Sequence, residues 1–178
     1  MKGIVFTEFI EMIETEFSLK MADDIIVRSN VESGGAYTSI GVYNHLEIFA
    51  LVEQLSLATG ISKIELFRIY GEHLFGRFKI HYPSLFEKIN DSLSFLELVD
   101  SYIHKEVLKL YPNAQLPSFL TERISENELK MIYTSKREMS DFAHGLILGC
   151  FKNFNEEGEI EVDKVAESKV IFNVKRLK

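Results

Sequence analysis

The sequence predicts one α+β domain in which several helices come first and an antiparallel sheet follows. Two observations support this fold class. Apolar residues recur at helical spacing through most of residues 4–111, and after Pro112 the period changes to short runs typical of strands. At 178 residues the chain buries roughly 70% of its extended surface on folding, so a sizeable core with an internal pocket is feasible.

Capping and helix-breaking residues delimit the helices predicted in the first half. The opening segment sets an apolar face of phenylalanine and isoleucine residues against three glutamates, and a shorter helical piece covers residues 21–30. A loop with two glycines, Gly34 and Gly35, follows. Two further helices each have a capping pair and a stop residue: Asn44, Glu47 and Gly60, then Ser62, Glu65 and Pro83.

A longer helix and four strands complete the prediction. The apolar positions from Leu93 to Tyr111 continue for about five helical turns, and Pro112 ends them. One helix, Glu138 to Phe154, separates two pairs of strands. The strands are predicted at Gln115–Arg123, Glu128–Ser135, Glu159–Val165 and Lys169–Lys175. Helices followed by paired strands are typical of an α+β fold with antiparallel hairpins.

Composition and charge exclude several classes of protein. Twenty-seven acidic against twenty basic side chains give a net charge of −7, which argues against a nucleic-acid ligand. No stretch approaches the ~18 apolar residues of a membrane span, and glutamates interrupt the opening segment where a signal peptide would be continuous. A single cysteine, Cys150, excludes an internal disulfide, so we expect a cytoplasmic protein that does not bind membranes.

His104 is the histidine with the most unusual surroundings. Asp100 lies one turn before it on the same face of the predicted helix. The other residues of this face are mainly hydrocarbon: Leu96, Val107, Leu108 and Tyr111. An imidazole in such a place is either a core histidine bonded to a main-chain carbonyl or a metal ligand. The phenylalanine and tyrosine residues leave a similar choice, because they suit either an ordinary core or a flat hydrophobic cofactor.

Tyr133, Ser135 and Arg137 alternate along a predicted strand. In an extended chain, alternate side chains project from the same face. Two hydroxyl donors and one guanidinium would then converge on an anion, and arginine matches a carboxylate in bidentate geometry. The alternative is a polar strand edge exposed to water.

Motifs of common enzyme classes are absent from the sequence. There is no Gly-x-Ser-x-Gly elbow, no phosphate-binding loop, no dinucleotide glycine fingerprint and no His-Glu-x-x-His pair. Cys150 lies within an apolar helical face, which favours a core residue over a nucleophile. We therefore expect no enzymatic activity.

Three segments, in this order, resemble one known family. They are the start MKGIVF, the segment IHKEVLKLYPNAQLPSF, and the motif YTSKR with a GLILG helix after it. The family is that of the haem-nitric oxide/oxygen-binding (H-NOX) domains, which are related to the haem domain of soluble guanylate cyclase. The resemblance covers essentially the whole chain. It implies a distal helical part at about residues 1–60 and a proximal part at about residues 61–178 with a signalling helix and a four-stranded antiparallel sheet, the haem being buried between them.

The resemblance assigns roles to residues around a haem b group. It implies that His104 is the axial ligand of the iron and that Pro117 presses on the porphyrin and helps to distort it. Tyr133, Ser135 and Arg137 would bind the two propionates. Haem is a flat apolar disc with a metal and two carboxylates, so these roles agree with the aromatic residues, the imidazole and the anion site described above.

The residues expected on the distal face of the haem decide which gas binds. Oxygen-binding members of the family carry a tyrosine where this sequence has Phe142. The expected neighbours of Phe142 are Leu146, Val5 and Phe9. Phenylalanine offers no hydrogen-bond donor to O2. The resemblance therefore implies a protein that binds NO and CO at ferrous haem and little O2.

The resemblance also implies how a signal would leave the domain. NO bound opposite His104 would weaken or break the iron–histidine bond, and the helix Leu93–Tyr111 would then shift. The sequence contains no output domain, so we expect a separate partner, a histidine kinase or a cyclic-di-GMP enzyme.

The Cys/His zinc cluster of some members cannot form with Met139 after the motif and Cys150 alone, so haem iron is the only metal expected.

Two alternatives stay open. The fold could enclose another apolar carboxylate, such as a fatty acid, and act as a haem-free binding module. A peroxidase-like haem enzyme is the second alternative, although Phe142 and the aliphatic residues expected near it supply no acid or base.

Overall fold

The computed structural model describes residues 1–87 and 89–178. Its α-helices are α1 (Ile4–Glu16), α2 (Leu19–Ser29), α3 (Leu46–Thr59), α4 (Lys63–His81), α5 (Ser92–Glu97), α6 (His104–Leu110) and α7 (Ser140–Asn153). A 3₁₀ turn, Pro83–Leu85, follows α4, and a π-helical turn, Val99–Ile103, precedes α6. The strands are β1 (Ser118–Ser125), β2 (Glu128–Thr134), β3 (Gly158–Ala166) and β4 (Lys169–Arg176). Within the described residues, no helix is both long and apolar enough to cross a membrane.

The four strands form one antiparallel sheet in the order β1-β2-β4-β3. One face of the sheet is buried, and β2 and β4 supply its fully buried residues: Leu129, Met131, Tyr133, Val170, Phe172 and Val174. Strand β1 starts at Ser118 rather than at Gln115, because Pro117 has no N–H to donate to a strand ladder. The predicted α+β class with four antiparallel strands is confirmed.

Of the two predicted side-chain caps, the one before α4 is confirmed and the one before α3 is not. Ser62 Oγ accepts a hydrogen bond from the Glu65 main-chain N–H at 3.2 Å, in agreement with the capping pattern before α4. Asn44 Oδ1 accepts from the Leu46 N–H at 3.1 Å, but the N-cap residue of α3 is His45, so the predicted capping pair of Asn44 with Glu47 is wrong. Both helices therefore begin where polar side chains satisfy free main-chain donors.

The single long helix predicted for residues 93–111 is interrupted. The main-chain N–H groups of Tyr102 and Ile103 both bond to Leu98 O, at 2.8 and 3.1 Å, which widens one turn into a π-helix before α6 begins. A π turn inserts one residue into a helix while the apolar residues go on recurring, so the periodicity could not reveal it. The π turn ends directly before His104, the first residue of α6.

Helices α4 and α7 approach so closely that their main chains touch. A Cβ atom added at Gly145 would lie 2.1 Å from Arg68 O, and one added at Gly71 would lie 2.3 Å from Phe142 O. Without a backbone shift, only glycine fits at these two points. The contact fixes the rotation of α7 and thereby the position of Phe142.

Two hydrophobic clusters make up the core. One joins α1, α2, α3 and the part of α4 up to Leu74, together with Met139. The other joins α5, the sheet and α7, and it includes Phe75 of α4. Helix α4 therefore belongs to both clusters. The division of the chain at about residue 60 stays a prediction.

Candidate functional site

A cavity of about 250 Å³ lies where the two hydrophobic clusters meet. Its walls come from α1, α4, the π turn, α6, α7, the segment before β1 and the inner face of β2. Close-packed protein interiors contain few voids larger than a water molecule, which occupies about 30 Å³ of liquid. Most of the lining side chains are apolar, and none of those described is acidic. The cavity is therefore suited to a sizeable apolar ligand.

His104 is the first residue of α6 and lines the cavity. Its side chain is 16% exposed, and its Nδ1 lies 3.4 Å from Asp100 Oδ1. That carboxylate is itself fixed, because its Oδ1 accepts a hydrogen bond from the Phe119 N–H at 3.1 Å. Burial lowers the pKa of His104 and outweighs the opposite effect of Asp100. The imidazole is therefore neutral and oriented through Nδ1, which leaves Nε2 as the atom that can bind a metal.

The three residues of the predicted anion site reach the cavity by a geometry that differs from the prediction. Strand β2 ends at Thr134, so only Tyr133 lies in a strand, where it is 2% exposed. Ser135 and Arg137 lie beyond it in a turn, in which Ser135 Oγ accepts from the Arg137 N–H at 3.1 Å. The prediction of one extended run is therefore wrong. The turn nevertheless brings all three residues to the cavity.

Arg137 places a positive charge beside apolar walls. Its guanidinium donates to Gln115 Oε1 at 3.3 Å, and no carboxylate of the described residues forms an ion pair with it. Burial lowers the pKa of Arg137. Because a partly buried guanidinium without a counter-charge is costly, this part of the cavity suits an anionic group such as a carboxylate.

The cavity wall formed by α1, α4 and α7 includes Val5, Phe142 and Leu146. The ring centroid of Phe142 lies 5.2 Å from that of Tyr70. The Tyr70 hydroxyl donates to Val5 O, so its proton is already used by the main chain. Within the described residues, the side chains that these three helices contribute to the cavity include no hydrogen-bond donor.

Pro117 and Phe9 are both predicted to contact the ligand, but only Pro117 lines the cavity. Pro117 lies just before β1 and lines the cavity. Phe9 is fully buried in the first hydrophobic cluster, with its ring centroid 4.9 Å from that of Tyr70, and it is not among the lining residues. Helix α1 meets the cavity only through its first turn, with Ile4 and Val5.

Three residues near the cavity had no role assigned from the sequence. Asp100 precedes His104 by four positions, a spacing that places the two on one helix face and could have indicated their contact. Tyr70 was one of many aromatic residues, and nothing local shows that its hydroxyl is occupied. Lys2 also lines the cavity, but it lies far along the chain from the other polar lining residues.

The sequence model of the Haem-NO-binding family matches residues 2–162 of the chain. The chain belongs to the H-NOX family. H-NOX domains are haem-binding gas sensors, and the resemblance found in the sequence is thereby confirmed. No curated protein matches this H-NOX domain.

Solved H-NOX structures are similar to this one along its whole length. The unliganded Fe(II) H-NOX protein from K. algicida is 40% identical, with a TM-score of 0.94 over 100% of this chain and 97% of that one. The H-NOX from Shewanella woodyi, bound to IWP-051 in the Fe(II)CO state, is 38% identical, with a TM-score of 0.85 over 99% and 95%. The H-NOX protein from S. oneidensis in the Fe(II)NO state is 21% identical and shows the fold alone, with a TM-score of 0.92 over 100% of both chains.

The residues around the H-NOX cavity fit a haem. A haem needs an axial base, apolar surfaces on both faces and counter-charges for two carboxylates. The cavity offers the neutral imidazole of His104, walls of aliphatic and aromatic side chains, and the guanidinium of Arg137. Outside this site, the described residues contain no group of three or more His, Cys, Asp or Glu side chains that could hold a metal ion.

Proposed function

We propose that this H-NOX domain senses NO and CO, binds little O2, and signals to a separate protein through release of His104. The observation that carries the gas selectivity is the wall of α1, α4 and α7, whose described lining residues offer no side-chain donor. Donors in a haem pocket decide whether O2 is retained. A wall without donors therefore favours NO and CO over O2, whose complex with iron is the more polar.

Five residues of this chain would hold haem b. His104 Nε2 would bind the iron, and Pro117 would press against the porphyrin. Tyr133, Ser135 and Arg137 would bind the propionates. Bound haem supplies the ferrous iron at which a diatomic gas binds. The Asp100 carboxylate beside Nδ1 would keep the imidazole in one orientation and make it more basic.

Phe142, Leu146 and Val5 would form the surface that the gas meets. The glycine contact between α4 and α7 holds Phe142 in place, so this surface is rigid. Phe9 would support it from one layer behind, because it packs on Tyr70, which in turn packs on Phe142. The side chains of this surface provide no proton to a bound gas.

Helix α6 is the element best suited to transmit a change at His104. None of its residues is fully buried, and a π turn precedes it. A segment with few buried apolar contacts is displaced at lower cost than a core helix. Once His104 is no longer held, α6 would shift relative to β1, and its exposed side chains would contact a partner, a histidine kinase or a cyclic-di-GMP enzyme.

We further propose that the domain is not an enzyme, works in the cytoplasm and uses no zinc. Cys150, the single cysteine, is buried, and burial raises the pKa of its thiol well above the usual value, so it is a core residue rather than a nucleophile. A lone reduced cysteine suits the cytoplasm. Neither Phe142 nor its neighbours in the cavity wall supply the acid or base that a peroxidase needs.

The absorption spectrum of the purified protein tests the haem site. Protein from haem-replete cells should show a Soret band. His104→Ala should lose this band or its axial ligation, and added imidazole should restore it by occupying the vacated position. His45→Ala is the control, because His45 does not line the cavity, and it should leave the spectrum unchanged.

A second candidate would explain a negative result. The apolar cavity and Arg137 also suit a long-chain carboxylate. Colourless wild-type protein from haem-replete cells, with a fatty acid recovered by solvent extraction, would reject the haem sensor and support a haem-free binding module.

A further inference from the structure

Two cationic side chains line the cavity, Lys2 and Arg137, and no acidic side chain of the described residues lines it. Lys2 lies just before α1, and Arg137 lies in the turn after β2. Neither forms an ion pair with a carboxylate in the described part of the chain. The N-terminal ammonium of Met1, which also lines the cavity, donates to Tyr43 O at 2.6 Å. The charges of Lys2 and Arg137 thus border one apolar cavity without a carboxylate of the described residues to balance them.

Neutral groups hold the Lys2 ammonium in place. Its Nζ donates to Ile40 O at 3.1 Å and lies 4.7 Å from the centroid of the Tyr111 ring. The Tyr111 hydroxyl is hydrogen-bonded to the Tyr82 hydroxyl at 2.8 Å, and both tyrosines line the cavity. An ammonium carries three N–H donors, and Ile40 uses one of them. The Lys2 side chain is thus fixed in direction while its charge stays available.

Lys2 contacts the loop of residues 40–45. Lys2 binds this loop through Ile40 O and through a main-chain bridge to Val42. Its Nζ also lies 4.7 Å from the centroid of the Tyr111 ring, and the Arg137 guanidinium donates to Gln115 Oε1 at 3.3 Å, four residues beyond Tyr111. The two cations therefore border one part of the cavity rather than opposite ends.

We propose that Lys2 binds one of the two propionates of haem, so that each carboxylate meets a cation of its own, Lys2 for one and Arg137 for the other. This inference rests on the proposed haem site and adds a residue to its anion-binding set. Hydrogen bonds from a charged donor to a carboxylate are about twice as strong as neutral ones. Two cations also favour a dicarboxylate over a fatty acid, which brings only a single negative charge.

The rate of haem transfer to an excess of apomyoglobin tests this proposal. Lys2→Met keeps the length of the side chain and removes its charge, and it should release haem about fivefold faster, as expected for one partly exposed ion pair. Lys2→Arg restores the charge and should release haem within about twofold of the wild-type rate.

Lys79→Met is the matched control. Lys79 also donates to a main-chain carbonyl, Asn153 O at 2.9 Å, and lies 5.9 Å from an aromatic ring centroid, that of Phe154, but it does not line the cavity. This variant should release haem at the wild-type rate. In a second arm, the proteins are loaded with the dimethyl ester of haem, whose carboxylates carry no charge. Lys2→Met and wild type should then release at equal rates.

Acetylation with acetic anhydride provides a readout on the wild-type chain, independent of how any variant folds. Bound haem should slow the acetylation of Lys2 and leave that of Lys79 unchanged, as measured by mass spectrometry of peptides. Equal haem release by Lys2→Met and Lys79→Met, with Lys2 unprotected, would overturn the inference and leave the haem site intact. Wild-type protein that takes up no haem would overturn the proposed function itself.

Discussion

The wall of α1, α4 and α7 is built far more firmly than the opposite segment, the π turn with α6. In the first wall the helices bury whole faces, and the main chains of α4 and α7 touch at Gly145. In the second, α6 has no fully buried residue. Close-packed regions resist displacement, whereas sparsely packed ones open at small cost. In the proposed function, the first wall would therefore select the ligand and the second would move in response.

The polar contacts also hold the wall of α1, α4 and α7 more firmly than the segment before α6. Glu8 of α1 is almost fully buried, and its carboxylate accepts from Arg77 Nε at 2.5 Å and contacts His81 Nε2 at 2.8 Å, which ties α1 to the end of α4. The segment before α6 is tied to β1 by one hydrogen bond of 3.1 Å, from the Phe119 N–H to Asp100. Charged contacts with a buried carboxylate hold a helix more tightly than a single bond to an exposed one.

Truncation of one leucine in each wall should give the largest contrast in stability. Leu74 of α4 is 1% exposed and Leu110 of α6 is 57% exposed, and both line the cavity. Leu74→Ala should lower the free energy of unfolding by about 3 kcal/mol, because it leaves a void in a packed core. Leu110→Ala should change it by less than about 0.5 kcal/mol. Urea denaturation followed by circular dichroism measures both, and equal losses would contradict the comparison.

A methyl group added between α4 and α7 should lower the stability of the fold by a smaller but measurable amount. Gly145→Ala would place Cβ 2.1 Å from Arg68 O, and the forced separation of the helices should cost about 2 kcal/mol. Gly76→Ala, in α4, is the control, since the nearest atom to the added Cβ would be 3.8 Å away and alanine is the better helix former. The thermal unfolding midpoints of the two variants check this order. A Gly145→Ala protein as stable as the control would show that the first wall is not rigid.

Much of this fold follows from local signals, and the exceptions follow from contacts that no local pattern records. Helices α1 to α4 and α7 bury one face each, so their periodicity predicts them. The π turn leaves that periodicity intact and was missed. Ser135 and Arg137 alternate as in a strand, yet β2 stops at Thr134 because the chain turns there through a Ser135 hydrogen bond.

The residues of the candidate site were predicted unevenly, because some of their contacts are local in the sequence and others are not. The sequence predicts a special role for His104 because its neighbours on the helix are local and apolar. Phe9 shares a helix with Val5, but the sequence could not show that α1 meets the cavity only through its first turn. The Lys2 ammonium is positioned by contacts with Ile40 and Tyr111, which are distant from it in the sequence.

Exposure of the ferrous protein to O2 tests directly whether the wall of α1, α4 and α7 offers a hydrogen-bond donor to a bound gas. The Soret band of wild-type protein should shift with NO and with CO and should keep its position when air is briefly admitted. Phe142→Tyr should shift in air as well, because the new hydroxyl would enter the cavity that Phe142 lines. Phe49→Tyr, outside the lining, should behave as wild type. A wild-type Soret band that shifts in air as fully as it does with CO would contradict the account.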